Sequence, residues 1–385
     1  MRRSARCFVG IGWLLSWALA CNDAPTVELP TLELITEDPS DAPIAGLSET
    51  LLQRFDDGDA RFELPFRESQ GLGPLYIHRS CASCHEDDSR GPGVVRRIVG
   101  DTPFGDVVRP RMSAGATTPI MPPEEAEIKV RLGPPVFGRG YFEAVSDETI
   151  LEYERVQAER DDGISGRAHR VERASATELP GWMPVLGRFG HKARRATLTE
   201  FTAEALLGDM GMTTPVRPAE LPNPDGQEDD ERPGVDVDDE ELGLIADYVR
   251  LLAIPRRSEV PGSRLFVSAR CSVCHVPEVR TGGHDLSVLR EVEVGLFTDF
   301  LLHDMGEGLE DGVPEGDATG REWRTAPLIG LRYQTHLLHD GRADTVRDAI
   351  AAHRSEGSEA NDSVARFDAL SESEQETLVA YVEAL

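Results

Sequence analysis

Two short stretches carry the residues best suited to chemistry: Cys81-Ala-Ser-Cys84-His85 and Cys271-Ser-Val-Cys274-His275. Each sets two thiols around a two-residue spacer, with an imidazole next in line. That pattern is the attachment site of a c-type haem. The thiols add across the two vinyl groups, and the histidine binds the iron from one face. Cys81, Cys84, Cys271 and Cys274 are therefore the expected attachment points of two covalently held haem c groups, with His85 and His275 as iron ligands. Two alternatives compete. Four cysteines in two such pairs can hold a structural zinc, but these pairs lie far apart in sequence, and zinc gives no role to a histidine after each. A disulfide redox pair predicts a thioredoxin-like βαβ context, which this sequence lacks.

The start of the chain bears on compartment. Arg2, Arg3 and Arg6 precede an apolar run from Phe8 to Ala20 that ends in small residues before Cys21. This is the layout of a secretory signal peptide, expected over residues 1–20. The run is too short for a transmembrane helix. Ala18-Leu19-Ala20-Cys21 also resembles a bacterial lipobox, with Ala18 where leucine is usual, so Cys21 is the expected lipid anchor to a membrane. Of six cysteines, Cys7 leaves with the signal and Cys21 is the anchor, which leaves none for a structural disulfide. The expected location is the periplasm or cell envelope. A net charge of −29 excludes electrostatic binding of nucleic acid. It suits a basic electron-donor cytochrome, although solubility alone also accounts for it.

Those motifs must be positioned by helices. Residues 21–46 are rich in Pro, Thr and acidic residues without helical period and read as a flexible tether. A first domain is expected over 47–255 and a second over 256–385. Leu51, Leu52 and Phe55 predict a helix before the first motif. Residues 92–145, rich in Pro and Gly, predict loops with a small hairpin. Helices are expected over Ser146–Ala158 and Thr197–Leu207. Asp238-x-x-Glu241 reads as a capping box opening a helix with Leu242, Ile245, Ala246, Val249 and Leu252 on one face, stopped by Pro255. Ser371-x-x-Glu374 opens the last helix in the same way. The expected fold class is mainly α: two cytochrome c-like haem domains, the first enlarged by loop-rich insertions.

Further stretches go beyond haem attachment: Gly71-Leu-Gly-Pro74, Arg131-Leu-Gly-Pro-Pro-Val-Phe-Gly138, Gly187-Arg-Phe-Gly190, Gly208-Asp-Met-Gly211, Thr298-Asp-Phe-Leu-Leu-His-Asp-Met-Gly306, Glu322-Trp-Arg-Thr325, Leu338-His-Asp-Gly-Arg342 and Ala349-Ile-Ala-Ala-His353. Together they resemble the bacterial di-haem oxidoreductases, a peroxidase-like family sometimes labelled thiol oxidoreductases and similar in plan to the di-haem cytochrome c peroxidases. The resemblance spans roughly residues 50–385.

The resemblance implies that electrons from a periplasmic donor cytochrome enter at the C-terminal haem, and that hydrogen peroxide is reduced at the N-terminal one. It places His353 as the second iron ligand opposite His275, with Met305 as rival. It places Arg324 and Arg342 near the second haem, Arg342 on a propionate, and His339 at the haem edge. Trp323 stands as an electron relay between haems or as plain core. Asp209 falls near the position of the acid/base residue. His191, where the family has a tryptophan before the lysine, is either part of the catalytic face or a sixth ligand; Met210, Met212 and His78 are weaker ligand candidates. Ala158–Arg167 resembles a calcium-binding acidic loop, but it is shortened and has lost an acidic position, so calcium is unsupported and a solvated turn is expected. A homodimer is also implied. Two other functions remain open: an electron carrier with two six-coordinate haems, and a haem oxidase that modifies a partner protein.

Overall fold

The computed structural model describes residues 42–85, 93–100, 102–172, 184–227 and 234–385. The signal, Cys21, most of the tether and Trp182 lie outside them. Among the described residues helix makes up 34% and strand 13%, which is more irregular backbone than a mainly α reading implies. Among the described residues, no helix is long and apolar enough to cross a membrane.

Helix α1 (Glu49–Glu63) starts where the Ser48 side chain accepts from the Leu51 amide, and it buries Phe55, Gly58 and Phe62. Its partner is α5 (Asp239–Leu251), capped by Asp238, with Leu242, Ile245, Tyr248 and Val249 inward. The Phe55 and Phe62 rings sit 5.0 and 5.1 Å from Tyr248. A β-carbon on Gly58 would run into the Leu244 carbonyl and come within 2.8 Å of Tyr248 Cβ, so this crossing requires glycine. Between these helices lie α2 (Arg139–Ala144), α3 (Asp147–Arg160) and α4 (Leu198–Met210). The loop-rich stretch yields the ladder of Val94–Ile98 against Ile128–Leu132, antiparallel with Val94 opposite Leu132, and pairs Arg111–Met112 with Leu75–Tyr76. Thr197 and Glu200 cap α4 reciprocally, a local signal of the same kind as the box on the last helix.

The second half repeats the plan in small. Helix α6 (Ser263–Ser268) precedes the second motif, and α7 (Val346–Ala352), α8 (Asn361–Asp368) and α9 (Glu372–Glu383) follow. The Ser371/Glu374 box opens α9 as its sequence predicts. Phe266 of α6 packs at 5.6 Å on Tyr381 of α9 and at 6.0 Å on Phe297.

Packing and backbone pairing reach across two of the expected boundaries. The expected tether to residue 46 includes chain that is already docked: Ile44 is buried, its amide donates to Leu251 O at 2.8 Å, and Ala42 O accepts from Ala253 at 2.8 Å. Apolar packing also continues across residue 256. One apolar cluster runs from Phe55, Phe142 and Tyr248 through Val292, Leu296, Phe300 and Ile329.

Candidate functional site

Both motifs close with the same turn. The His85 amide donates to Cys81 O at 3.0 Å, and the His275 amide to Cys271 O at 2.9 Å. The four cysteines are free thiols. Among the described residues they do not gather around one point; the group that converges is Cys274, Asp299 and His303, so the zinc alternative finds no four-sulfur site. The donor set fits haem c: paired thiols on a turn, an imidazole beside them and apolar walls.

At the second motif, His275 donates from Nδ1 to Phe297 O at 3.2 Å. Fixing Nδ1 as the donor leaves Nε2 as the lone-pair nitrogen. His353, at the end of α7, does the same toward Ala349 O at 2.6 Å. Burial pushes His275 down to about 4, and His353 is the next cause; burial also lowers His353. The two imidazoles are thus near neighbours, both held neutral. Met305 is tied to the stretch after His353, its carbonyl accepting from the Ser355 hydroxyl at 3.0 Å. Phe297 and Phe300 both hold left-handed backbone, with φ of 55° and 65°. Such strain costs about 1–3 kcal/mol per bulky residue and persists only where the surroundings enforce it.

At the first motif, Ala82 N donates to Phe62 O at 3.3 Å, so α1 carries the motif at its C-terminal end. The Phe62 and His85 rings are 6.2 Å apart. A β-carbon on Gly133 would reach 2.9 Å from His85 Cε1, so the Ile128–Leu132 strand delivers bare backbone against the imidazole. Asp209 sits on the last turn of α4, its carbonyl accepting from Ile77 at 2.6 Å. Burial pushes the Cys81 and Cys84 thiols up to about 12, and the Asp209 carboxylate is the next cause for both. Asp209 itself is pushed up to about 6 by burial, against the pull of Arg194 and Arg97 and with a push from Glu204. The Asp209 carboxyl thus lies close enough to the first motif to act on both of its thiols. His78 pairs with Arg111 at 3.2 Å, and Met210 and Met212 are buried in the core.

His191 donates from Nε2 to Leu132 O at 2.9 Å, so ligation by this residue has to use Nδ1. Its ring meets Trp323 edge-on at 6.2 Å. Trp323 is buried and stacked on His339 at 3.8 Å, and the Lys192 ammonium lies 3.8 Å from its ring centre. Lys192 donates to the carbonyls of Thr319 and Glu322, each at 2.7 Å, and burial pushes it down to about 8. Arg131 adds its guanidinium at 5.2 Å from the Trp323 ring and pairs with Asp311 and Glu315. Since lysine is rarely buried, nothing in the sequence marks Lys192 as interior.

Arg324 is buried, donating from Nε to Gly190 O at 3.1 Å and from Nη1 to Thr325 O at 2.8 Å. Arg342 grips Asp340 of its own turn at 2.6 Å. In the calcium-like loop, Asp162 is paired by Arg270, which also binds Asp362 at 2.9 Å. A guanidinium of the protein thus occupies that carboxylate.

The chain belongs to the di-haem oxidoreductase family, described in full as "Di-haem oxidoreductase, putative peroxidase", whose profile matches residues 109–385. The match contains the second motif and starts after the first. No curated protein matches the chain. Among solved structures, hydrazine synthase of Kuenenia stuttgartiensis is similar over 100% of both chains at 15% identity, with a TM-score of 0.41. A likeness that slight carries no weight for fold or function.

Proposed function

We propose that the protein is an exported di-haem c-type peroxidase, held to the cell envelope through Cys21, that reduces hydrogen peroxide with electrons from a donor cytochrome. The observation that carries this reading is an asymmetry: two imidazoles with oriented nitrogens neighbour each other at the second motif, whereas an acid titrating near neutrality stands beside the first. Cys81, Cys84 and His85 would hold one haem, and Cys271, Cys274, His275 and His353 the other. When bound, the C-terminal haem supplies a store for incoming electrons and the N-terminal one an iron face for peroxide.

Peroxide reduction consumes two electrons and two protons, breaks the O–O bond and releases two waters. A proton must leave one peroxide oxygen and reach the one that departs as water. A group titrating near the working pH serves that transfer best. Asp209, at about 6, suits it: ionised it takes the proton, neutral it returns it. Arg194 limits the rise of Asp209.

The test is turnover of the purified holoprotein, reduced and supplied with hydrogen peroxide and a reduced cytochrome. Donor oxidation at two electrons per peroxide is expected. A reduced protein that leaves peroxide untouched would sink the reading and favour an electron carrier.

A further inference from the structure

We propose that His303 is a fixed imidazolium that sets the reduction potential of the haem attached through Cys274. The proposal rests on the reading that Cys271 and Cys274 carry haem. His303 is 2% exposed, and both of its ring nitrogens face carboxylates. Nδ1 lies 2.7 Å from Glu359 Oε2 and Nε2 lies 3.0 Å from Asp299 Oδ2. Each carboxylate also accepts other N–H groups. Asp299 takes Gln157 Nε2 at 2.7 Å and Leu301 N at 3.0 Å. Glu359 takes Ser165 N at 3.0 Å and Asp304 N at 3.3 Å. With acceptors on both sides, both ring nitrogens must carry hydrogen, and an imidazole with two N–H groups is a cation.

That cation touches the cofactor's anchor: His303 Nδ1 is 3.7 Å from Cys274 Sγ. Burial works against the charge, but the Cys274 sulfur and Asp299 outweigh it, holding His303 well above the ordinary histidine range. A thioether removes the sulfur's own charge and leaves the two carboxylates to keep the proton. The site is built from both halves of the chain, since Gln157 also donates to Val273 O at 3.0 Å, inside the motif, and accepts from Gly166 N at 2.9 Å. Asp299 lies between the two left-handed phenylalanines, which holds its carboxylate in place. A positive charge at the haem edge favours the electron-rich reduced state, and in a buried site its effect is only weakly screened.

The experiment is a spectroelectrochemical titration of the holoprotein, following the low-spin haem in wild type, His303→Gln and Glu359→Gln. Haem content is first measured as the pyridine haemochrome. Removing the cation is expected to make reduction of that haem about tenfold less favourable against a fixed redox dye. Removing the anion is expected to move it the opposite way. Opposite signs support the proposal; shifts of the same sign, or no shift in either variant, overturn it. Should His303→Gln fail to fold, Glu359→Gln decides alone: a positive shift supports the proposal and none overturns it. Absence of covalent haem in wild type would instead count against the haem reading itself.

Discussion

At Cys271–His275 the surrounding groups fix things in place: Nδ1 of His275 and of His353 are each tied to a backbone carbonyl, and His303 is clamped between two carboxylates. At Cys81–His85 the nearby charges are instead poised to change, with Asp209 titrating at about 6 under the opposed influence of arginines and Glu204. Rigid surroundings suit a centre whose only change is one electron, because little has to reorganise. A titratable neighbour suits a centre where protons move. On the function proposed above, the same turn would serve two kinds of chemistry through what is packed around it.

The comparison breaks most completely if the second site is dismantled. Cys271→Ala with Cys274→Ala is expected to halve covalent haem, from two per chain to one by pyridine haemochrome, while the first site keeps its haem. Retention of both would refute the assignment. Next, low-temperature electron paramagnetic resonance of the oxidised protein should show one high-spin and one low-spin signal. His353→Ala should abolish the low-spin one, since it removes the proposed second ligand; two low-spin signals in wild type would mean that both sites are closed. Asp209→Asn should lower peroxide turnover by about a hundredfold or more with haem spectra unchanged, and wild-type activity should rise with pH through about 6 as the carboxylate ionises.

That raised value also has a stability consequence with a definite sign. The fold favours neutral Asp209, so its contribution is fully present below about pH 4 and lost as pH climbs through about 6. Asparagine cannot ionise, so urea midpoints of Asp209→Asn relative to wild type should rise between pH 4 and 7. A constant gap would argue that Asp209 is not held neutral.

The smallest effect concerns the helix crossings. Gly58 meets Leu244 and Tyr248, and Gly262 meets Tyr381, so each half crosses its first and last helices over a glycine beside a tyrosine. Alanine at either should cost about 1–3 kcal/mol by overpacking. Gly262, at φ 140°, should be the costlier because its backbone also disfavours a side chain. Thermal unfolding followed at the Soret band would check the order; equal shifts would dissolve the distinction.

What could be read from sequence was local. The motifs, the Ser371/Glu374 box and the helices around both motifs all depend on residues a few positions apart. Asp238 caps its helix as expected, although the structure shows only the forward half of that box. The Thr197/Glu200 box was equally readable. The His303 site was not, because Gln157, Asp299, His303 and Glu359 meet only through folding, and a histidine in an apolar stretch announces no charge. Lys192 was illegible for a related reason: composition assigns lysine to the surface, and its burial rests on the carbonyls of Thr319 and Glu322, the Trp323 ring and Asp311, which only folding brings to it. Residues 42–46 read as polar, and the burial of Ile44 and its bond to Leu251 O were not legible in that composition.

The continuous core has a bearing on how such a chain can be cut or recombined. The Phe142 ring meets Phe300 edge-on at 4.9 Å, and Gln157 of the first half donates into the second motif. A gene fragment encoding residues 256–385 would therefore expose Phe300 and Leu301 to water and strand Asp299 without its amide donor. Although each half reads as a small cytochrome, the second is not a transplantable module, and shuffling would have to move the two together.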